Sequence, residues 1–186
     1  LIGRGRWSPS SCERRMDNFE IKPLLADAVP AALAKVEHYR LLNEPEEAES
    51  ICIDILEVDP EHQKALINLL LARTDQFKEG SPSLLKQARE VLPRLRREFD
   101  RAYFGGLICE RQAKALLGRR GTRSGFIAYE WFQYALEQYQ LAIDCGDTRP
   151  TDVGDATLRW NAGVRMIERH PHCVPAPEER AELGLE

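Results

Sequence analysis

The sequence predicts an all-α protein built from about three antiparallel helix hairpins and closed by a further helix. Two observations carry this. Beyond Met16, apolar residues recur at spacings of three and four along nearly every segment, and no segment alternates with period two for long. That is the periodicity of helices with a buried face, not of strands. The segments are separated mostly by short runs carrying Pro, Gly, Asn or Asp, and short connections make neighbouring helices antiparallel. At 186 residues, with 43% of them apolar, the chain can bury a sizeable core as one domain, and disorder throughout is excluded.

Pro30 stands at a plausible first helical position, where its missing N–H is no loss. Ala32, Val36 and Tyr39 then share a face. Asn43-Glu44-Pro45 ends this helix. The next has the cleanest amphipathic pattern, with Ala48, Ile51, Cys52, Ile55 and Leu56 inside and Glu46, Glu47, Glu49, Asp54 and Glu57 outside. Asp59-Pro60 stops it, because the residue before proline is pushed out of the α region. A third helix carries Ala65, Leu66, Leu69, Leu70 and Arg73 on one side and Ile67 and Leu71 on the other, so it must be covered on two sides. Ser81 and Pro82 read as cap and first position of a fourth helix. Its apolar residues run from Leu84 to Phe99, with Pro93 placed to kink or end it. A fifth helix runs from about Arg101 to Leu117, with Ala102, Gly106, Cys109, Ala113 and Leu116 on one stripe. After the basic loop 118–125, a sixth spans about Phe126 to Ile143 with Ala128, Phe132, Ala135, Tyr139 and Ala142 in register. A seventh spans Ala156 to His170 with Leu158, Ala162 and Met166. Residues 1–15 read as a disordered leader or upstream sequence, 16–170 as the helical domain and 171–186 as a polar tail with room for one short exposed helix.

An internal repeat favours a stack of hairpins over a single bundle. Cys52, Ile55 and Pro60 follow Ala48 by four, seven and twelve residues; Tyr139 and Ala142 follow Ala135 by four and seven; Leu92 and Leu95 keep those offsets from Ala88. Small residues let the two helices of a hairpin approach, while larger ones fill the gap to the next hairpin. The segment from Ala48 to Pro60, with Tyr39 nine residues before it, resembles the tetratricopeptide repeat, a helix–turn–helix of about 34 residues. The resemblance covers about residues 29–170, as hairpins at 29–60, 63–99 and 100–143 and a closing helix. It departs from the pattern where Ala32, Lys35 and Val36 stand for Trp-x-x-Leu-Gly and where Gly105 and Cys109 replace a leucine and a tyrosine.

The resemblance implies an antiparallel hairpin solenoid of about three repeats, whose inner wall of first helices holds a protein or peptide partner. Carried over, the inward positions are Leu33, Glu37 and Arg40; then Lys64, Ile67, Leu71 and Asp75; then Tyr103, Leu107, Glu110 and Arg111. Ile67, Leu71 and Leu107 read equally as packing residues. Tyr103 and Arg111 are the expected anchors, because aromatics and arginine dominate interface energetics. The carboxylate clamp of some family members is not matched: only Asn68 agrees, and Leu33, Glu37, Asp100 and Phe104 stand at its other positions. Polar Arg159, Asn161, Arg165, Glu168 and Arg169 suggest a C-terminal cap and a monomer.

Other function classes find less support. The net charge of −4 is not the footprint of a polyanion binder, although Arg94, Arg96, Arg97 and Arg101, and Arg119, Arg120 and Arg123, could touch the phosphates of RNA. No apolar run is long enough for a membrane span, and the first residues lack the apolar core of a secretory signal. Five scattered cysteines without a CxxC pair read as reduced thiols in a cytoplasm. His170, His172 and Cys173, with Cys145, make a weak metal pattern lacking the tight ligand pairs of zinc sites, so no metal or cofactor is expected. No motif for nucleophilic, metal-assisted or phosphate chemistry is present, and the expectation is a cytoplasmic adaptor or scaffold, not an enzyme. Behind it stand an RNA-associated helical protein and a helical enzyme of unrecognised type.

Overall fold

A computed structural model describes residues 20–77, 82–118, 122–146 and 148–175. Among these residues the chain forms seven α-helices: α1 (Val29–Leu41), α2 (Pro45–Val58), α3 (Gln63–Asp75), α4 (Pro82–Val91), α5 (Glu98–Leu117), α6 (Thr122–Asp144) and α7 (Pro150–Arg169). The expected leader, the Ser81 cap, Arg119, Arg120 and the tail beyond 175 lie outside the described residues.

The helix boundaries follow local chemistry. Asn43 adopts the left-handed conformation at φ 60°, which asparagine tolerates better than most residues. The Glu44 N–H then reaches back to the Tyr39 carbonyl at 2.9 Å, closing α1 so that Pro45 can open α2. His62 caps α3, its Nδ1 accepting from the Ala65 N–H at 3.2 Å. Pro93 ends α4 at Val91, and a single 3-10 turn (Leu92–Arg94) leads to an extended Leu95. Leu95 and Phe99 therefore do not continue the face of α4: Leu95 is buried in the connection, and Phe99 belongs to α5. α7 begins at Pro150, six residues earlier than its apolar pattern suggests. Asp152 stabilises that start by accepting the Arg149 backbone N–H at 3.1 Å, and an acidic residue in a first turn also suits the helix dipole.

Each helix packs mainly on its sequence neighbours, as antiparallel hairpins do, with α4 against α5 the thinnest of these seams. In addition α1 touches α3, α3 touches α5 and α5 touches α7. One interior region lies among α1–α4 and is aliphatic: Val36, Cys52, Ile55, Leu66 and Leu70 are fully buried, joined by Ile108 from α5. Two smaller ones lie among α5–α7, where Ala142 and Ala156 pack with Phe99, and Ala135 packs with Cys109 and Tyr139. α5 and α6 approach closely at Gly106, where a Cβ would meet the Tyr139 ring at 2.7 Å. The buried stripe of α6 is the expected one, Ala128, Phe132, Ala135, Tyr139 and Ala142. On α7 the face differs: Ala156 and Gly163 are buried, whereas Leu158 is 67% exposed. Gly163 lies close against α6, where a Cβ would stand 3.1 Å from the end of the Leu136 side chain.

Among the described residues, no helix is long and apolar enough to cross a membrane. Among the described residues, no group of three or more His, Cys, Asp and Glu side chains is placed to hold a metal ion. Cys173 packs on Gly125 near the start of α6, and Cys145 follows its end. Twenty residues of helix, about 30 Å, separate those two sites, so Cys145 does not join His170, His172 and Cys173. Burial pushes the Cys52 thiol up to about 12 and raises Cys109 as well, which keeps both as neutral packing residues.

Candidate partner-binding face

The residues predicted to line an inner wall come from α1, α3 and α5, and the contacts among these helices bring several of them together. The Asp75 carboxylate at the end of α3 accepts from both sides. Arg40 Nε of α1 donates to one oxygen at 2.8 Å, and Arg111 Nη1 of α5 donates to the other. Arg111 Nη1 also donates to Thr74 Oγ1 at 2.6 Å and to the Leu71 carbonyl at 3.2 Å. Arg40, Asp75 and Arg111 are each a little over one-fifth exposed, so this bridge is neither dry nor freely solvated. One turn or more back along the same helices, Lys64 Nζ meets Glu37 at 2.6 Å with both side chains at least half exposed. A pair that open stabilises little and is available to a partner.

A second node joins α5 to α6 and α7. Glu110 is 1% exposed and accepts from Lys114 Nζ one turn on, from Tyr139 Oη at 2.6 Å and from Arg159 Nη1 at 3.5 Å. Burial pushes the Glu110 carboxyl up, but the hydrogen bonds from Lys114 and Tyr139 and the charges of Lys114 and Arg159 outweigh it and hold it below the usual carboxylate range. Glu110 is therefore an ionised, buried anchor. Burial, with the neighbouring carboxylate acting the same way, raises the Tyr139 hydroxyl and keeps it a donor. Burial lowers Arg159, and its hydrogen bond with Tyr103 and the charge of Glu110 more than restore it.

The other predicted positions fall into two groups. Leu33 and Ile67 are half-buried and pack on the aliphatic interior, Leu71 is half-buried, and Leu107 is buried at 2%. Leu107 and Glu110 thus serve the interior and present no surface. Tyr103 stacks on Phe99 at 5.5 Å between ring centres and meets Phe104 edge-on at 5.1 Å. It is a half-buried wall residue, not a free aromatic anchor. Arg159, read from the sequence as part of a polar cap, instead turns toward Glu110 and Tyr103. Thr74, Lys114, Tyr139 and Arg159 were not singled out as site residues. Lys114 carried a readable signal, standing four residues after Glu110 on one helix; Tyr139 and Arg159 meet the node only through tertiary packing.

Three arginines of the 94–101 cluster, Arg94, Arg97 and Arg101, are engaged within the protein, and Arg96 is exposed. Arg94 Nη2 donates to the Pro60 carbonyl at 2.7 Å. Arg97 donates to Asp152 at 2.5 Å and to Asp100 at 3.4 Å. Arg101 Nη1 donates to the Leu95 and Arg96 carbonyls at 2.7 and 2.9 Å. These bonds fix the α4–α5 connection against the α2–α3 turn and α7. Hydrogen bonds from Arg149, then from Arg97 and the Arg149 backbone, hold the Asp152 carboxyl far below its ordinary range despite its burial.

Comparison of the chain with family models, with curated proteins and with solved structures finds no match. The functional reading therefore rests on the residues and geometry of this chain.

Proposed function

We propose that the protein is an adaptor or scaffold whose three hairpins stack in the manner of tetratricopeptide repeats, and that the face made by α1, α3, α5 and α7 holds a peptide or protein partner. One observation carries this reading. The ion bridge runs Arg40–Asp75–Arg111, and its members stand 35 and 36 residues apart along the chain. That interval is close to a repeat of about 34 residues. Equivalent positions of successive first helices would meet side by side if each hairpin stood next to the last.

Three further observations support it. The alanines at the repeat positions, Ala48, Ala88 and Ala135, are all buried, as close helix approach requires. Each first helix touches the next but one in sequence. The linked face mixes half-buried apolar side chains with exposed Glu37 and Lys64, a composition suited to a polar, reversible contact.

The test is site-specific photocrosslinking in the native cell, with a benzophenone amino acid at Glu37, Lys64 or, on α6, the exposed Leu141. The expected result is one discrete protein adduct from positions 37 and 64 and none from 141. Adducts from position 141 alone, or the same adducts from all three, would overturn the assignment of this face.

A further inference from the structure

We infer that the partner segment is acidic, and that Arg40, Arg111 and Arg159 are the residues that grip it. The inference deepens the adaptor reading and rests on it. Among the described residues, the ion pairs linking α1, α3, α5 and α7 join four cations, Arg40, Lys64, Arg111 and Arg159, to three carboxylates, Glu37, Asp75 and Glu110, and Lys114 adds a fifth cation by pairing with Glu110 within α5. These paired groups thus carry a surplus of two positive charges on a chain whose net charge is −4. The other network at this end of the molecule, Arg97 and Arg149 with Asp100 and Asp152, is balanced.

The geometry makes that surplus usable. Arg40 reaches Asp75 through Nε, while the bonds of Arg111 all leave from Nη1. Each planar guanidinium therefore keeps donors that no described residue occupies, in the fork arrangement that matches a carboxylate. The cations also repel one another. Burial lowers the Arg111 pKa, and Arg40 and Arg159 lower it further, against the attraction of Asp75. An incoming carboxylate would relieve that repulsion where water is already partly excluded, which strengthens the pairing. Beside Arg111 a recess of about 360 Å³, lined by Thr74, Asp75, Phe77, Lys114 and Ala115, is large enough for an acidic side chain and its neighbour. Carboxylates interleaved with the arginines, and the small size of the surplus, favour a discrete acidic peptide over a continuous phosphate backbone.

The experiment measures fluorescence anisotropy of the full chain with three labelled probes: a 12-residue peptide of repeated Glu-Glu-Leu-Ala, the same peptide with Gln for Glu, and a 12-nucleotide oligouridylate. The acidic peptide should bind at least tenfold tighter than either of the others and weaken as salt rises. R40Q and R159Q should each cost about three- to tenfold in its affinity, an effect on the order of one charged contact. R165Q, at an exposed position on α7, should change it less than twofold. Circular dichroism confirms that the variants are folded, and the Gln-for-Glu peptide tests the charge requirement on the unaltered protein. Equal binding of the Gln peptide, equal or tighter binding of the oligouridylate, indifference to both arginine variants, or no binding of any probe overturns the inference. A cellular partner crosslinked from position 64 whose binding is unmoved by R40Q and R159Q also overturns it, while leaving the adaptor reading standing.

Discussion

The two halves of the molecule are held together by different means. Among α1–α4 the interior is aliphatic, and its buried polar side chains donate within their own helix: Asn68 Nδ2 to the Lys64 carbonyl at 2.9 Å and Thr74 Oγ1 to the Leu71 carbonyl at 2.9 Å. Among α5–α7 the seam is built from small residues, aromatic rings and ionised carboxylates, with Gly106 under Tyr139, Glu110 bonded to it, and Asp152 bonded to Arg97. The first arrangement is secured by apolar area, which is non-directional and tolerant of volume-conserving change. The second depends on position, because a close backbone approach and a buried hydrogen bond each admit few alternatives. The linked face spans both halves, so its shape depends on the directional half staying in register with the other.

The largest expected effect breaks the aliphatic half. Leu66 is fully buried, and Leu66→Ala should lower the unfolding free energy by about 2–5 kcal/mol through lost transfer energy and a residual cavity, measured by urea denaturation. The opposite operation should damage the other half: Gly106→Ala adds one carbon to α5. In an open helix that change would gain about 1 kcal/mol. Here the new Cβ falls within 2.8 Å of two Tyr139 ring atoms and 3.1 Å from the Ala135 carbonyl, and overpacking of this kind costs about 1–3 kcal/mol. A net loss is expected, and a net gain would mean that the α5–α6 seam is looser than described.

Tyr139→Phe keeps the ring and removes one hydrogen bond to the ionised Glu110, so a loss of about 1.5–3 kcal/mol is expected, with the far-ultraviolet spectrum unchanged. The same node sets an acid dependence. Glu110 has its carboxyl lowered on folding, so its contribution is fully present above the unfolded value of about 4.3 and is lost as pH falls through the lower folded value. Stability measured from pH 7 downward should therefore fall less steeply below about pH 4 in Glu110→Gln than in the unaltered chain. The smallest effect belongs to Leu158→Ser. That residue is 67% exposed, and the change should stay within about 0.5 kcal/mol. A larger loss there would show that the expected stripe through Leu158, Ala162 and Met166, not the observed one, faces the interior.

Where burial follows from period alone, the sequence was readable. The apolar stripes of α2 and α6 were legible residue by residue, whereas Glu49 and Asp54, read as outward on α2, are half-buried, and Pro93 marked the end of α4. The boundaries of α5, α6 and α7 were less so, because their first turns are polar: α7 starts on Pro150 and an Asp152 whose partners include Arg97, 55 residues away. On α7 the larger apolar residues pointed to one stripe, but close approach selected the stripe with Ala156 and Gly163. Arg40, Asp75 and Arg111 were placed together by repeat position. Their bridge through Asp75, and the reach of Tyr139 and Arg159 to Glu110, depend on how far apart helices settle, which no local pattern encodes.

The most direct measurement follows the arginine side chains themselves. In the Nε–Hε region of a ¹⁵N-labelled NMR spectrum, titration with the Glu-Glu-Leu-Ala probe should shift Arg40, Arg111 and Arg159 together along one binding curve and leave Arg165 and Arg169 in place. Shifts at Arg165 and Arg169 with the other three unmoved, or no saturable shift at any arginine, would contradict the assignment of the α1–α3–α5–α7 face as the surface that holds an acidic partner.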